Sequence, residues 1–435
     1  MIVPTSRSLI FTGILILVMI GFSARPMVLL PVFGFYIVVL MIDALGGRKG
    51  FVDLQASLPA VVRFSKKREG IISVVVRNAS SSARTIRVGL PLPAAFDGDS
   101  DLWLHLPQGS EYSRADFSCI PSSRGKFRID RIHMEFFSPL KLWSIRQSRQ
   151  QDCEIRVYPN LSEERRRLSA LFLNRGDFGI HSRRLVGQGR EFEKLREYIP
   201  GDAYDQIFWK ATARRGKPIT KVYQIEKTQE VYVVIDYSRL SGRKTGEETN
   251  LEFYIRSALI LGLIAQQQGD LFGLLAFADR IGNFIRAGNG KAHYHICRDA
   301  IYTLEPRLAT PDFRELFPFL RLRLRRRALL VVLTDLSDPV LAEQFMKGVD
   351  LIARQHLVLV NMMRPPRAQP LFAQQDARSI DDVYQKLGGH LLWQNLRELE
   401  NQLHLHGAKL TQLEDADFTA NIVTQYLNIK QRQLL

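Results

Sequence analysis

Cysteine is scarce in this chain: three residues, Cys119, Cys153 and Cys297, in 435, and no pair at metal-ligand spacing. So sparse and odd a set argues against a disulfide scaffold and fits a reducing compartment. A phosphate-cradling G-x-x-x-x-G-K-[ST] loop is also missing, so any ATP hydrolysis must come from another protein. No Ser-His-Asp or Cys-His arrangement declares itself, and no catalytic or cofactor-binding residue is assigned. Acidic residues are in deficit, 44 Asp and Glu against 60 Lys and Arg, a net charge of +16. Nucleic acid, an anionic membrane surface or an acidic protein could answer that charge. The basic residues belong to no recognisable nucleic-acid reader, so nucleic acid is not the expected partner.

What the chain does have, at its start, is apolar sequence. Leu9 to Phe22 and Met27 to Leu45 are two runs apolar on every side, with one acid, Asp43, near the end of the second. A bilayer core takes about 20 apolar residues in a helix. The runs therefore predict a transmembrane hairpin over 1–50; a cleaved signal peptide plus one span is the rival reading. Arg48, Lys49, Arg63, Lys66, Lys67 and Arg68 follow the second run, and only Arg25 lies between the two. This bias predicts a multi-pass inner-membrane protein with both termini and the soluble domains cytoplasmic, its basic flank drawn to anionic lipid.

Residues 51–160 alternate in short runs, among them IISVVVRN, KFRIDRIHMEFF and CEIRVYP, separated by NASSS, PQGSEYS and PSSRG. That is the pattern of a β-rich domain with one buried and one solvated face. His133 is expected to be structural. Residues 161–227 form a connector, with a basic loop at His181 to Arg190. From 228 to 435 the pattern is α/β. VYVVID, LFGLLAFA, ALLVVLTD and HLVLVNMM are apolar strands, with helices expected over 251–268, 338–353, 378–403 and 415–430. Such strands predict a mostly parallel sheet covered on both faces. The run Arg321 to Arg327 reads as a solvated or lipid-facing basic face. His293 and His295 receive no ligand role, since two histidines without a third ligand make a weak metal signal.

The densest pattern lies between Gly187 and Lys217, where aromatics, acids and bases are interleaved. Phe192, Leu195, Arg196, Tyr198, Gly201, Asp202, Ile207, Trp209, Ala211, Ala213 and Arg214 follow the spacing of a known hallmark. The stretch resembles that of the bacterial and archaeal family called domain of unknown function 58. Asp205 stands where that family usually has arginine, and Phe208 where an acid is common. In the β-rich region Arg124-Gly125 matches a family turn. Ser138 to Leu142 replaces a DPFGL-like segment, without its aspartate and glycine.

The resemblance implies two N-terminal spans, a β-rich region and a C-terminal von Willebrand A-like domain. It also implies association with a MoxR-type AAA+ ATPase that remodels envelope or metalloprotein clients. The implied role is a membrane-anchored, non-enzymatic adaptor or scaffold. A structural envelope protein contacting wall-synthesis or division machinery and a metal-dependent hydrolase are the alternatives.

Ligands of open α/β sheets gather at the carboxyl ends of strands, where oxygen donors suit Mg²⁺. Asp236, Ser238, Ser241 and Asp335 are the candidate metal ligands. The set resembles a metal-ion-dependent adhesion site with gaps: Leu240 takes the second serine position, and no threonine of a second loop stands out between Ile281 and Thr303. Mg²⁺ is the one cofactor such a set suggests; the alternative is that Asp236 and Asp335 cap loops and bind backbone N–H groups in a retained fold.

Overall fold

A computed structural model describes residues 1–21, 26–49, 54–79, 83–175, 186–187, 191–200, 202–224, 228–366, 368–371 and 379–432. The expected basic loop 181–190 falls almost wholly outside them, as does Gly201. The chain divides into two compact units, Met1–Asn160 and Leu161–Leu435.

The first unit begins with β1 (Ile2–Pro4) and two helices, α1 (Ser6–Gly21) and α2 (Pro26–Lys49). The expected transmembrane hairpin is not supported: among the described residues, no helix is long and apolar enough to cross a membrane. At about 1.5 Å per residue, the 16 residues of α1 fall short of a hydrocarbon core of roughly 30 Å. The last turns of α2 are docked on protein. Asp43, which looked like an acid at the end of a span, is 3% exposed. Its Oδ2 accepts from Ser138 Oγ at 2.5 Å and its Oδ1 from Leu140 N at 2.9 Å, while Trp143 Nε1 donates to Leu40 O at 2.9 Å. The multi-pass inner-membrane placement, the cytoplasmic orientation and the membrane as partner lose their basis with the hairpin. Apolar side chains on both helices, Leu17 and Phe35 among them, stand exposed.

The rest of this unit is β structure, as the alternation predicts. One sheet holds β1, β3 (Val61–Ser65), β5 (Arg84–Gly89), β7 (Asp101–Leu106), β9 (Gly125–Phe137) and β10 (Trp143–Tyr158). The other holds β2 (Leu54–Ser57), β4 (Gly70–Asn78), β6 (Phe96–Gly98) and β8 (Tyr112–Pro121). Alternate residues point inward: Ile72, Val74 and Val76 of β4 share one core with Ile86 and Val88 of β5 and with Ile129 of β9. The two sheets thus pack as a sandwich. His133 pairs with Ser148 Oγ at 2.8 Å across β9 and β10.

The segment at 138–142 meets the last turns of α2, where the carboxylate of Asp43 reaches Ser138. The missing glycine leaves Lys141 in the left-handed region, at φ 58°.

In the second unit, α3 (Ser162–Arg175) precedes a small sheet of β11 (Val186–Gly187), β13 (Ile219–Gln224) and β12 (Glu191–Glu197), with α4 (Trp209–Arg215) between β12 and β13. The main sheet is mixed, ordered β18-β17-β14-β19-β20-β21. Its strands are β14 (Glu230–Asp236), β17 (Leu271–Phe277), β18 (Ile281–Gly288), β19 (Ala328–Leu333), β20 (Leu357–Met363) and β21 (Ala408–Leu413), with a small hairpin, β15 (Lys244–Thr245) and β16 (Glu248–Thr249), after β14. All main-sheet pairs are parallel except β17 with β18.

Residues of alternate parity along β14 and β19 enter different cores. Val231, Val233 and Ile235 pack with α5 (Asn250–Gln267), α6 (Lys291–Ile301) and α10 (Phe418–Arg432). Tyr232 and Val234 pack with α7 (Phe313–Arg323), α8 (Pro339–Ala353) and α9 (Ile380–Leu405). Both faces are therefore covered, which is why these strands read as unbroken apolar runs. Asp270, at the entry to β17, accepts from Gln229 N at 3.2 Å, from Lys430 Nζ at 2.8 Å and from the Tyr426 hydroxyl, tying α10 to the sheet.

The basic run 321–327 ends α7 and leads into β19. Arg321 and Arg323 sit at the helix C-terminus, where the backbone dipole favours positive charge. His293 and His295 lie on α6, not on a strand, and His293 Nε2 contacts Phe272 O at 2.7 Å.

Two stability measurements follow from these contacts. Lys141→Gly should stabilise the protein by about 1 kcal/mol, since glycine takes the left-handed conformation without strain but loses more freedom on folding. A urea titration with a higher midpoint and unchanged slope would show it. His356 is 3% exposed, and neither ring nitrogen has a partner among the described residues. Burial pushes its imidazole below the usual value. Below about pH 6.5 the unfolded chain takes up a proton that the folded chain refuses, so stability falls as pH drops toward the lower folded value. Thermal melts of His356→Leu should show a smaller loss on acidification than wild type.

Candidate functional site

Chain order places a switch point in the main sheet. From β14 the chain moves outward to β17 and β18, then returns to the other side of β14 as β19. Crevices at the carboxyl ends of strands that diverge in this way are where α/β sheets bind ligands. The strands here end at Asp236 and at Thr334-Asp335, so the structure brings the two predicted acids together.

Asp236 is fully buried. Its Oδ1 accepts from Ser238 N at 2.8 Å and its Oδ2 from Thr334 Oγ1 at 2.6 Å. Burial raises its pKa to about 6, against the lowering effect of these two donors, and Asp335 adds a further push upward. Asp335 is 5% exposed; its Oδ1 accepts from Ser337 N at 2.9 Å. Its Oδ2 accepts from Arg243 Nη1 at 2.9 Å, and the same nitrogen donates to Ser337 Oγ at 2.8 Å. Ser241 turns away, donating to Ser238 O at 2.7 Å. Ser238 Oγ is buried near enough to favour the Asp236 carboxylate, yet makes no hydrogen bond of good geometry among the described residues. Tyr254 of α5 is buried within the field of the pair. Burial first, then the charges of Asp335 and Asp236, push its phenol well above the ordinary value.

The four predicted ligands thus lie in one cluster, but their oxygens are largely engaged. Both oxygens of each carboxylate accept hydrogen bonds, and one of Asp335 faces a guanidinium. Mg²⁺ needs near-octahedral oxygen coordination at about 2.0–2.1 Å. Ser238 Oγ alone of the four side chains is uncommitted, so the set as arranged fits a resident Mg²⁺ poorly. Among the described residues no group of three or more His, Cys, Asp or Glu is placed to hold a metal ion.

Arg243 was not picked out from the sequence. It caps a short 3-10 turn, Arg239–Gly242, and its backbone is held by the small β15–β16 hairpin, whose far end returns Asn250 N to Arg243 O at 2.9 Å. It stands seven residues beyond Asp236, in no motif; only the fold shows that the loop swings it across to β19.

The hallmark segment folds as β12, a 3-10 turn and α4, returning along β13. Arg196 Nη2 donates to Asp202 Oδ1 at 2.7 Å, and Ile199 N to Asp202 Oδ2 at 3.1 Å. The Ile199 N–H, then Arg196, hold the Asp202 carboxyl below its usual range despite desolvation. Tyr198 stacks on Tyr204, with ring centroids 6.1 Å apart, and Lys221 Nζ sits 4.4 Å from the centre of the Phe208 ring. Phe208 N donates to Ile219 O at 2.7 Å, and Ile219 N to Thr212 Oγ1 at 3.0 Å. Leu195, Ile199, Tyr204 and Trp209 remain exposed.

Residues 194–374 match the family described as Protein of unknown function DUF58. The matched stretch runs from within β12 to beyond β20 and so contains the hallmark from Leu195 onward and the two strand-end acids. Uncharacterized proteins of Mycobacterium tuberculosis and Mycobacterium bovis are each 25% identical over 191 residues, 43% of this chain and 59% of the relative. The chain therefore spans less than two thirds of the curated relatives it matches. Among solved structures, an aerotolerance-related membrane protein from Bacteroides fragilis is 14% identical, covering 46% of this chain and 98% of that one, with a TM-score of 0.28. Proximal thread matrix protein 1 from the mussel byssus, with a zinc-occupied MIDAS motif, is 13% identical over 32% and 36%, with a TM-score of 0.24. At such scores neither carries an argument about this chain.

The hydroxyl of Thr334 is the link between the two strand ends. Thr334→Val keeps the shape and removes the donor, leaving a buried carboxylate with one partner fewer. A loss of about 1–3 kcal/mol is expected in equilibrium denaturation.

Proposed function

We propose that residues 228–435 form a non-enzymatic, protein-binding adaptor domain whose recognition surface is the rim around the ends of β14 and β19. The observation that carries this reading is the topology. Two strand-end acids stand at the switch point of the sheet, and around them lie the exposed Arg239, the half-exposed Arg243 and the exposed Val340 at the start of α8. A rim that mixes arginine and apolar side chains over a rigid core is suited to a protein partner. The family match supports a protein-binding role. Through the family resemblance, a MoxR-type AAA+ ATPase is the first partner to test, and ATP hydrolysis would belong to that partner.

The test uses the full chain and the purified MoxR-type ATPase of the same organism in a direct binding assay. Wild type should bind, and Arg239→Glu combined with Val340→Glu should weaken binding at least about tenfold with the melting temperature unchanged, the scale expected for charges placed in an interface. Absence of wild-type binding would remove the ATPase from the proposal. Equal binding by the variant would move the contact away from this rim.

A further inference from the structure

We infer that Arg243 is the built-in cation of the strand-end site. Its guanidinium takes the charge-compensating place that a divalent ion would take beside Asp335, so the site neither needs nor holds Mg²⁺.

Asp335 presents Oδ2 to Arg243 Nη1 at 2.9 Å, and the same nitrogen reaches Ser337 Oγ at 2.8 Å. A carboxylate oxygen and a serine hydroxyl are the donor types that Mg²⁺ would seek here, and one guanidinium nitrogen already bridges them. An ion bonded to Asp335 Oδ2 would meet a like charge within hydrogen-bonding distance of the same oxygen. Each remaining carboxylate oxygen already accepts one hydrogen bond, Asp335 Oδ1 from Ser337 N and Asp236 from Ser238 N and Thr334 Oγ1, and so keeps one lone-pair direction, not two.

The chain also holds Arg243 in place. The 3-10 turn positions its backbone N–H on Leu240 O, and Asn250 N closes the hairpin on its carbonyl. A guanidinium stays charged at every physiological pH and cannot dissociate from the chain. The compensating charge is therefore always within reach of Asp335, whereas a bound ion would come and go with its concentration. Removing the side chain would free Asp335 Oδ2 and Ser337 Oγ together, and so open an ion site where there was none.

The inference concerns the same site as the proposed recognition surface, but its test needs no partner, so either can fail alone. Mn²⁺ serves as a paramagnetic probe for the Mg²⁺ position, with binding to the full chain followed by electron paramagnetic resonance and melting followed in EDTA and in Mg²⁺. Wild type should show no Mn²⁺ binding that Asp335→Asn removes, and the same melting temperature in both buffers. Arg243→Ala should bind Mn²⁺ at least about tenfold more tightly than wild type and melt higher in Mg²⁺ than in EDTA, since a ligand of the folded state stabilises it. If Arg243→Ala does not fold, Arg243→Gln, a neutral side chain of similar reach, carries the same arm. Wild-type Mn²⁺ binding that depends on Asp335 would overturn the inference. So would a folded neutral variant that gains no ion.

Discussion

β14 is hydrogen-bonded on both edges and covered on both faces, and the rest of the second unit is arranged around that fact. A strand so enclosed can be solvated nowhere along its length, so every backbone group must find a partner in β17 or β19. Two helical layers must then supply its side-chain contacts. At the end of such a strand, a carboxylate such as Asp236 emerges into a place with little water. It persists because the serine turn and Thr334 meet it with donors. Arg243 compensates the neighbouring acid in the same manner, by a group fixed in the loop.

The strands and several helices of this unit were legible because burial on both faces leaves a plain mark, a run of Val, Ile and Leu with no alternation. The elements that escaped notice lack it. β18 is an antiparallel edge strand of mixed exposure with irregular register, and β21, AKLTQL, carries polar residues between its buried ones. α6 buries only Cys297 and Ile301 and so shows no long apolar run. The acids of the site were visible as polar residues at the ends of apolar strands. Arg243 was not, because its role depends on where a loop crosses space, which spacing along the chain does not encode.

The N-terminal misreading has a different cause. Apolar content alone does not say whether a helix meets lipid or protein. Asp43 was a visible clue: an acid in an apolar helix is costly unless a partner awaits it. Its partners, Ser138 and the N–H of Leu140, lie nearly a hundred residues away, in the segment that seemed to have lost an aspartate. One carboxylate thus links the last turns of α2 to the segment at 138–142.

The clamp at Asp270 bears on how the second unit is made. The first strands of its sheet leave the ribosome well before α10, yet Asp270 receives the Tyr426 hydroxyl and Lys430 only from that helix. Until α10 docks beside α5 and α6, this face of the sheet is only partly covered, and within the protein the Asp270 carboxylate has only the backbone N–H of Gln229. The contacts of Asp270 with Tyr426 and Lys430 thus tie closure of this part of the core to the docking of α10.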